Sequence, residues 1–464
     1  MKPAPFTYQE FARQKILSRQ KTAVIAPPGS GKTRPIIEAL RDAEILGKEP
    51  ILIICSGPAV ATWRWQLPYW GDVEPHEVRI IRGKPSYRAA MWSHTAETAG
   101  IAITNHQVLQ RDWIHVQSVE WGAVVADEYH KFMRGRKGKT YRLFRQLERR
   151  IDYLVLTTGS LINDDPSSMF TGFQLLDPKA FSSYWRFVGT FCLTQETPFG
   201  KEIIGVRNVQ ALRDITDRYM AYIPEDVVAD QLPKGFRYSI DVDMTESQSR
   251  VYEDLTGEMI ATVEDDLVMA ANPLSLLIRL RQLLCCPKIL NEKLDMGGGY
   301  EWILDQFDEP KENHPYCVIF VPFRPACEYI VDDLRERGYH ARFLRGGMSE
   351  DEQDEIKDDF RARAGTGAIL VCTISFSESF DLEKCQQSYF LGYDYDVEQN
   401  RQAEGRTRRA ISEHGFVRWG YIRYTGTVDD TIFQDMDNKF RTIKRVLQRP
   451  EAFIQALRGK NPEA

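Results

Sequence analysis

"AVIAPPGSGKTRPIIEAL", residues 23–40, decides how this chain is read. Val24 and Ile25 close a short apolar run, and a proline–glycine loop follows. Ile36, Ile37, Leu40 and Ile45 then recur at helical spacing. The order strand, loop, helix describes a phosphate cradle. Gly29 and Gly31 let the backbone close around an anion and aim N–H groups at it.

The stretch resembles the P-loop pattern G-x-x-x-x-G-K-[ST], with Ala26 in place of its first glycine. Pro28, Gly29, Ser30, Gly31, Lys32 and Thr33 are the expected nucleotide cradle. Lys32 would neutralise the β and γ phosphates of ATP, and the Thr33 hydroxyl would coordinate Mg²⁺.

Roughly a hundred residues on, "WGAVVADEYH" (121–130) is an apolar strand that ends in Asp127 and Glu128. Two carboxylates at a strand tip supply a Mg²⁺-holding Asp127 and a base, Glu128, that orients water. Phosphoryl hydrolysis requires both, because its catalysis is positioning plus charge neutralisation. Further strand-like runs at 51–57, 100–105 and 153–160 alternate with helical segments. The expectation is an open α/β sheet with its site at the strand ends.

Composition sets the bounds. A chain of 464 residues is too long for one core and suits two or three domains. Apolar residues make up 43% and charged residues 27%, the balance of a globular protein rather than a disordered one. No apolar stretch reaches the roughly 18 residues that span a bilayer, and "MKPAPFTYQE" lacks signal-peptide layout. A cytoplasmic protein without membrane contact is expected. The eight cysteines form no C-x-x-C pair and the histidines are dispersed, so no zinc spacing exists and buried reduced thiols are expected.

The net charge of −6 does not advertise a nucleic-acid binder, but local charge does. Residues 131–150 carry nine Lys or Arg against one Glu, and 438–449 carry five with no acid. Residues 349–360 are strongly acidic by contrast.

The box Asp127-Glu128-Tyr129-His130 resembles the Asp-Glu-x-His element of superfamily-two helicases. "TTGS" (157–160) resembles their coupling motif, Tyr8-Gln9 their adenine-recognising element, and "QAEGRTRR" (402–409) their motif six. Longer segments narrow the resemblance to Swi/Snf-related DNA translocases. These are "LLDPKAFSSYWRFVGTFC" (175–192), "DQLPKGFRYSIDVDMTESQSRVYEDL" (230–255) and "LIRLRQLLCCPKIL" (277–290). Two departures stand out. "CTISFSESFDL" (372–382) lacks the glycines of that branch's motif five, with Ser377 and Ser379 in their place, and Leu161 replaces a proline after motif three.

The resemblance implies two tandem RecA-like α/β lobes with parallel sheets, ATP in the cleft between them, and helical insertions. Lobe one would take residues 1–226, with a helical protrusion at about 165–221. Lobe two would take 227–464, with strands near 316–323, 339–347, 366–373, 386–394 and 416–425, a helical insertion at about 245–290, and a C-terminal helix. Gln402, Arg406 and Arg409 would join Lys32, Asp127 and Glu128 in catalysis, with Gln9 on the adenine. An arginine that reaches the γ-phosphate on closure is worth roughly 10³ to 10⁵ in rate in related NTPases.

Nucleic-acid contacts are expected at Pro58, Trp63, Thr104, Asn105, Arg324, Arg345, Gly346 and Thr373, and at Arg134, Arg136 and Lys137 of the basic segment. Such contacts grip phosphates and carry little base information. The implied function is a DNA-dependent ATPase translocating on double-stranded DNA, acting as a monomeric motor core with room for a targeting protein partner. A strand-separating DNA or RNA helicase and a non-hydrolysing ATP-gated scaffold are the alternatives. Intact Lys32, Asp127, Glu128, Arg406 and Arg409 speak against the scaffold.

Overall fold

The computed structural model describes residues 2–57, 59–133, 135–159, 166–197, 200–264, 266–307, 315–376, 382–409, 412, 414–430 and 432–433. Pro58, Arg134, Ser160, Leu161, Ser377, Ser379 and the basic segment 438–449, where a C-terminal helix is expected, lie outside the described residues. The chain divides into two compact units, the first Met1–Asp230 and the second beginning at Gln231.

In the first unit the strands are β1 (Lys21–Ile25), β2 (Ile51–Ile54), β3 (Val78–Ile80), β4 (Ile101–Thr104), β5 (Ala123–Ala126) and β6 (Tyr153–Thr158). A hairpin, β7 (Cys192–Thr197) and β8 (Gly200–Val206), precedes β9 (Met220–Tyr222). Seven of them form one parallel sheet in the order β3-β4-β2-β5-β6-β1-β9. Strands β2 and β5 are buried at every position. Parallel strands covered on both faces read as unbroken apolar runs, which is why these are visible in the sequence.

That strand order is what builds the site. It sets β5 beside β6, and β6 beside β1, so the segments following all three emerge together at the carboxyl edge. On one face Leu52, Val124 and Leu154 pack with Phe170 and Phe173 of helix Met169–Leu176 and Phe187 of helix Tyr184–Phe191.

The region 165–221, expected to be helical, also contains the antiparallel hairpin β7–β8. Its strands are mostly exposed and interleave Thr, Gln and Glu, so no buried face announces them. The edge strands β3 and β9, three residues each, are equally silent in the sequence.

The second unit starts with β10 (Lys234–Val242) and a hairpin, β11 (Ile260–Val263) with β12 (Asp266–Met269). It continues with β13 (Tyr316–Val321), β14 (Ala341–Leu344), β15 (Ala368–Thr373), β16 (Gln387–Phe390) and β17 (Phe416–Tyr424). Its parallel sheet runs β10-β17-β16-β13-β15-β14. The expected helical insertion near 245–290 again contains a hairpin, between helices Glu246–Glu258 and Pro273–Cys285. Period-two alternation turns Ala261, Val263 and Val268 inward and leaves Ile260, Leu267 and Met269 exposed. A capping box of Thr245 and Gln248 starts the first of these helices.

All eight cysteines are buried and none forms a disulfide, as the dispersed spacing implies. Among the described residues no helix is long and apolar enough to cross a membrane.

Candidate active site

The loop after β1 is shaped by its glycines. Gly29 and Gly31 have φ of +81° and +72°, a region that side chains bearing a Cβ rarely adopt. A Cβ on Gly31 would also lie 2.8 Å from the Gln9 amide nitrogen. That amide donates to the carbonyls of Ser30 (3.3 Å) and Gly31 (3.4 Å), while the Gln9 oxygen accepts from the Phe6 N–H. Tyr8 donates its hydroxyl to the Ser30 carbonyl. Gln9, expected to read adenine, therefore braces the loop from the helix Thr7–Arg19. The Ser30 hydroxyl is buried with no hydrogen-bond partner among the described residues, an orphaned donor inside the cradle.

Lys32 precedes the helix Thr33–Asp42. Its ammonium donates to the Ala26 carbonyl at 3.1 Å and lies 3.4 Å from Glu128 Oε1. The two sequence motifs thus meet directly.

The carboxylates are held from three sides. Asp127 leaves β5, its N–H donating to the Ile54 carbonyl. Its Oδ2 accepts the indole N–H of Trp63 at 2.9 Å, and its Oδ1 accepts the Thr157 hydroxyl. Thr157 in turn accepts the Glu128 N–H at 3.2 Å. Glu128 has φ of +50°, a left-handed conformation between the strand tip and the short helical turn Tyr129–Lys131. Its Oε2 accepts the Gly159 N–H at 3.1 Å and lies 3.5 Å from His130 Nδ1, which also bonds the Thr158 hydroxyl. Residues 157–159 therefore touch Asp127, Glu128 and His130 one by one.

The two carboxylates are driven in opposite directions. Burial, and then the neighbouring Glu128 charge, push Asp127 above the usual aspartate range. Burial also works to raise Glu128, but the Lys32 charge, with His130 and Lys131 behind it and the Gly159 amide, outweighs it and holds Glu128 low.

The donor set fits a magnesium nucleotide. Thr33 and Asp127 offer oxygen only, which suits a hard cation that keeps several waters. Among the described residues no cluster of three or more His, Cys, Asp or Glu competes as a metal cage. The orphaned Ser30 hydroxyl and the glycine backbone would offer donors to a phosphate.

The remaining expected catalytic residues belong to the second unit. Gln402 and Arg406 lie on the helix Val397–Thr407, and Arg409 follows its end, its N–H donating to the Ser412 hydroxyl. Gln402 is buried and Arg406 partly so.

Several expected nucleic-acid contacts require correction. Trp63 is buried, 1% exposed, with its indole N–H on Asp127, so it offers no stacking platform. Thr104 is buried with its hydroxyl donating to the Ile81 carbonyl. The Asn105 side chain caps the helix His106–Arg111 by accepting from the Gln107 and Val108 N–H groups. Thr373 is buried at the end of β15. Thr104 and Asn105 are claimed by the chain's own backbone, Thr373 by the core, and Trp63 by the core and the Asp127 carboxylate.

The other described positions remain at least partly accessible. Arg136 and Lys137 are exposed, and the Arg136 guanidinium stacks 4.6 Å from the Tyr184 ring and 5.8 Å from Trp185. Arg345 pairs with Glu328 at 2.8 Å, and Gly346 leaves the space that the Arg324 guanidinium approaches. Sequence reasoning missed Thr157 as the bridge between the carboxylates, and no local pattern could have shown the bond from Trp63 to Asp127.

Two parallel α/β units, the first with a glycine loop beside paired carboxylates, make up the fold of a helicase-type ATPase core. Residues 18–289 match the SNF2-related domain, and residues 300–411 match the helicase conserved C-terminal domain. The chain belongs to the SNF2-related family. It is 20% identical to the CHD3-type chromatin-remodeling factor CHR7 of Arabidopsis thaliana, over 93% of this chain and 36% of that protein. It is 24% identical to a Caenorhabditis elegans homologue of the SWI/SNF-related matrix-associated actin-dependent regulator of chromatin subfamily A-like protein 1, covering 97% and 63%. An uncharacterized ATP-dependent helicase of Mycoplasma pneumoniae is 20% identical, covering 92% and 40%. The chain spans between 36% and 63% of the length of these three relatives. A solved Sulfolobus solfataricus SWI2/SNF2 ATPase core in complex with double-stranded DNA is similar at 19% identity. It covers 98% of this chain and 97% of that one, with a TM-score of 0.44.

Proposed function

We propose that this chain couples ATP hydrolysis to translocation along double-stranded DNA, without reading base sequence. The observation that carries the chemistry is the contact set joining Lys32, Glu128, Asp127 and Thr157 around the glycine loop. In this reading Met1–Asp230 is the nucleotide-binding lobe and the unit from Gln231 is the C-terminal helicase lobe.

ATP would lie with its phosphates on residues 28–33. Magnesium, when bound, neutralises charge on the β and γ phosphates, and Thr33 and Asp127 would hold it. Lys32 would exchange Glu128 for phosphate oxygens, since the anion brings more charge than the carboxylate it displaces. Glu128, released from that pair and still held by Gly159, would accept a hydrogen bond from the attacking water and orient it. Because Gly159 and Thr157 contact the carboxylates, loss of the γ-phosphate would be felt along residues 157–159. Arg406 and Arg409 would stabilise the charge that develops on the transferred phosphoryl group.

The DNA reading rests on family membership and on the exposed basic segment around Arg136 and Lys137. Phosphate contacts of that kind position a motor without specifying sequence. A separate protein would supply targeting to a monomeric motor core.

The test is ATP turnover by the purified chain, alone and with duplex DNA, single-stranded DNA or RNA. Strong stimulation by duplex, lost in Lys32→Ala, is the expected result. Stimulation by single strands or RNA alone would replace the translocase with a helicase. No turnover under any condition would overturn the motor reading.

A further inference from the structure

Glu404 has no role in the chemistry above, yet it is among the most tightly held carboxylates of the second unit. It lies on the helix Val397–Thr407 between Gln402 and Arg406, with its side chain 3% exposed. Arg237 of β10 donates through Nε and Nη2 to its two oxygens, the latter at 2.6 Å, and Tyr421 of β17 adds its hydroxyl at 2.9 Å. The same helix end is tied by Trp419, whose indole N–H donates to the Thr407 hydroxyl at 3.0 Å.

A second contact lies nearby. Arg408 Nε donates to the Pro233 carbonyl at 2.7 Å. Pro233 and Arg237 belong to the first residues of the second unit, just after the chain leaves the first at Asp230. The segment that crosses from one unit to the next is therefore gripped at two points by residues interleaved with Arg406 and Arg409.

We propose that Glu404 is a positioning residue for those arginines, and that with Arg237 and Arg408 it clamps the incoming segment to the arginine helix. This rests on the ATPase reading above. A bidentate guanidinium–carboxylate pair fixes rotation as well as distance, because both bonds fail if the helix turns about its axis. Residues two apart on a helix lie about 200° apart around it, so holding Glu404 against β10 and β17 aims Arg406 away from them. Gln402, four residues before Arg406, shares that opposite face. A swing of residues 233–237 then carries the arginine helix with it as one body, rather than leaving the arginines on a loose tether. The carboxylate is buried but the guanidinium is 41% exposed, so the pair adds little net stability and serves to fix geometry, which is the property an aimed arginine needs.

The experiment uses the full chain with saturating duplex DNA and compares Glu404→Gln, Arg237→Met and Arg237→Lys. ATP kcat and KM, affinity for a fluorescent ADP analogue, and melting temperature are measured for each. Glu404→Gln and Arg237→Met are expected to lower kcat at least tenfold, with KM and ADP affinity within twofold of wild type. Arg237→Lys, which keeps the charge but not the two-bond fork, recovers only part of the loss. Unchanged kcat in a folded variant overturns the proposal, as does a kcat loss matched by an equal loss of ADP affinity. If these variants fail to fold, Arg408→Ala removes the other grip from a partly exposed position. It is expected to lower kcat threefold or more with KM unchanged, and full activity overturns the clamp. A wild-type chain with no DNA-stimulated turnover would overturn the motor reading itself, and the clamp with it.

Discussion

Trp63 donates its indole N–H to Asp127 at 2.9 Å, although the two residues are 64 positions apart in the chain. The donor sits on the helix Ala59–Gly71 that follows β2, and the acceptor leaves β5 beside it in the sheet. A helix that carries an expected nucleic-acid contact is thereby tied to the carboxylate expected to hold magnesium.

Trp63→Phe keeps the ring and removes the donor. Turnover is expected to fall roughly ten- to hundredfold, in line with the ~1.5–3 kcal/mol carried by hydrogen bonds to charged groups. The magnesium concentration for half-maximal nucleotide binding should rise alongside. A variant with wild-type turnover and magnesium response would leave the indole as packing alone.

Glu128→Gln retains size and the Gly159 hydrogen bond but loses the charge that pairs with Lys32. Nucleotide binding should persist, since Lys32 is freed for phosphate, while phosphate release drops by about 10² or more, the range of a lost general base. Fluorescent-nucleotide titration and a phosphate-release assay separate the two. Normal turnover in this variant would remove Glu128 from its assigned role.

Arg136 and Lys137 are exposed on the segment after the Asp-Glu box. Reversing both to Glu should weaken duplex binding and flatten the slope of log affinity against log salt. Each lost phosphate contact is worth about 0.9 in that slope. Titrations at several salt concentrations measure it, and an unaltered slope would return the segment to a solvated face.

Asp429 offers a pH signature in the second unit. Burial lifts its carboxyl from 3.8 to about 7, against the Tyr424 backbone hydrogen bond and the Arg281 charge, with Asp430 pushing the same way as burial. Because the folded value is the higher one, the native state binds more protons between about pH 4 and pH 7. Stability from this group is present below that window and is lost as pH rises through it, by an amount on the order of 4 kcal/mol. Asp429→Asn should therefore stabilise the chain more at pH 7.5 than at pH 5, read from urea melts at both. An equal effect at both values would contradict the buried, proton-holding carboxyl.

The parts of this protein legible from its residues alone were those written in consecutive positions. The glycine loop, the Asp-Glu box and Thr157–Gly159 each place their chemistry within a few residues, and their strands are buried on both faces, so apolar runs flag them. Strands without such burial escaped notice. β10 is exposed over its first six positions, and the hairpins β7–β8 and β11–β12 each show at least one mostly solvent-facing strand.

What only the tertiary structure decided is which side chains meet. Trp63, expected from the sequence at nucleic acid, instead donates to Asp127 because β2 and β5 are sheet neighbours despite the strands numbered between them. Thr104 and Asn105, expected from the sequence as nucleic-acid contacts, are engaged by a carbonyl and a helix cap. Arg237 meets Glu404 across 167 positions because β10 pairs with β17, the strand on which Tyr421 also reaches that carboxylate. Periodicity and motif spacing are local properties of a chain, whereas sheet order is settled by packing both faces at once. The sequence determined the chemistry this protein carries, and the sheet order decided which residues aim it.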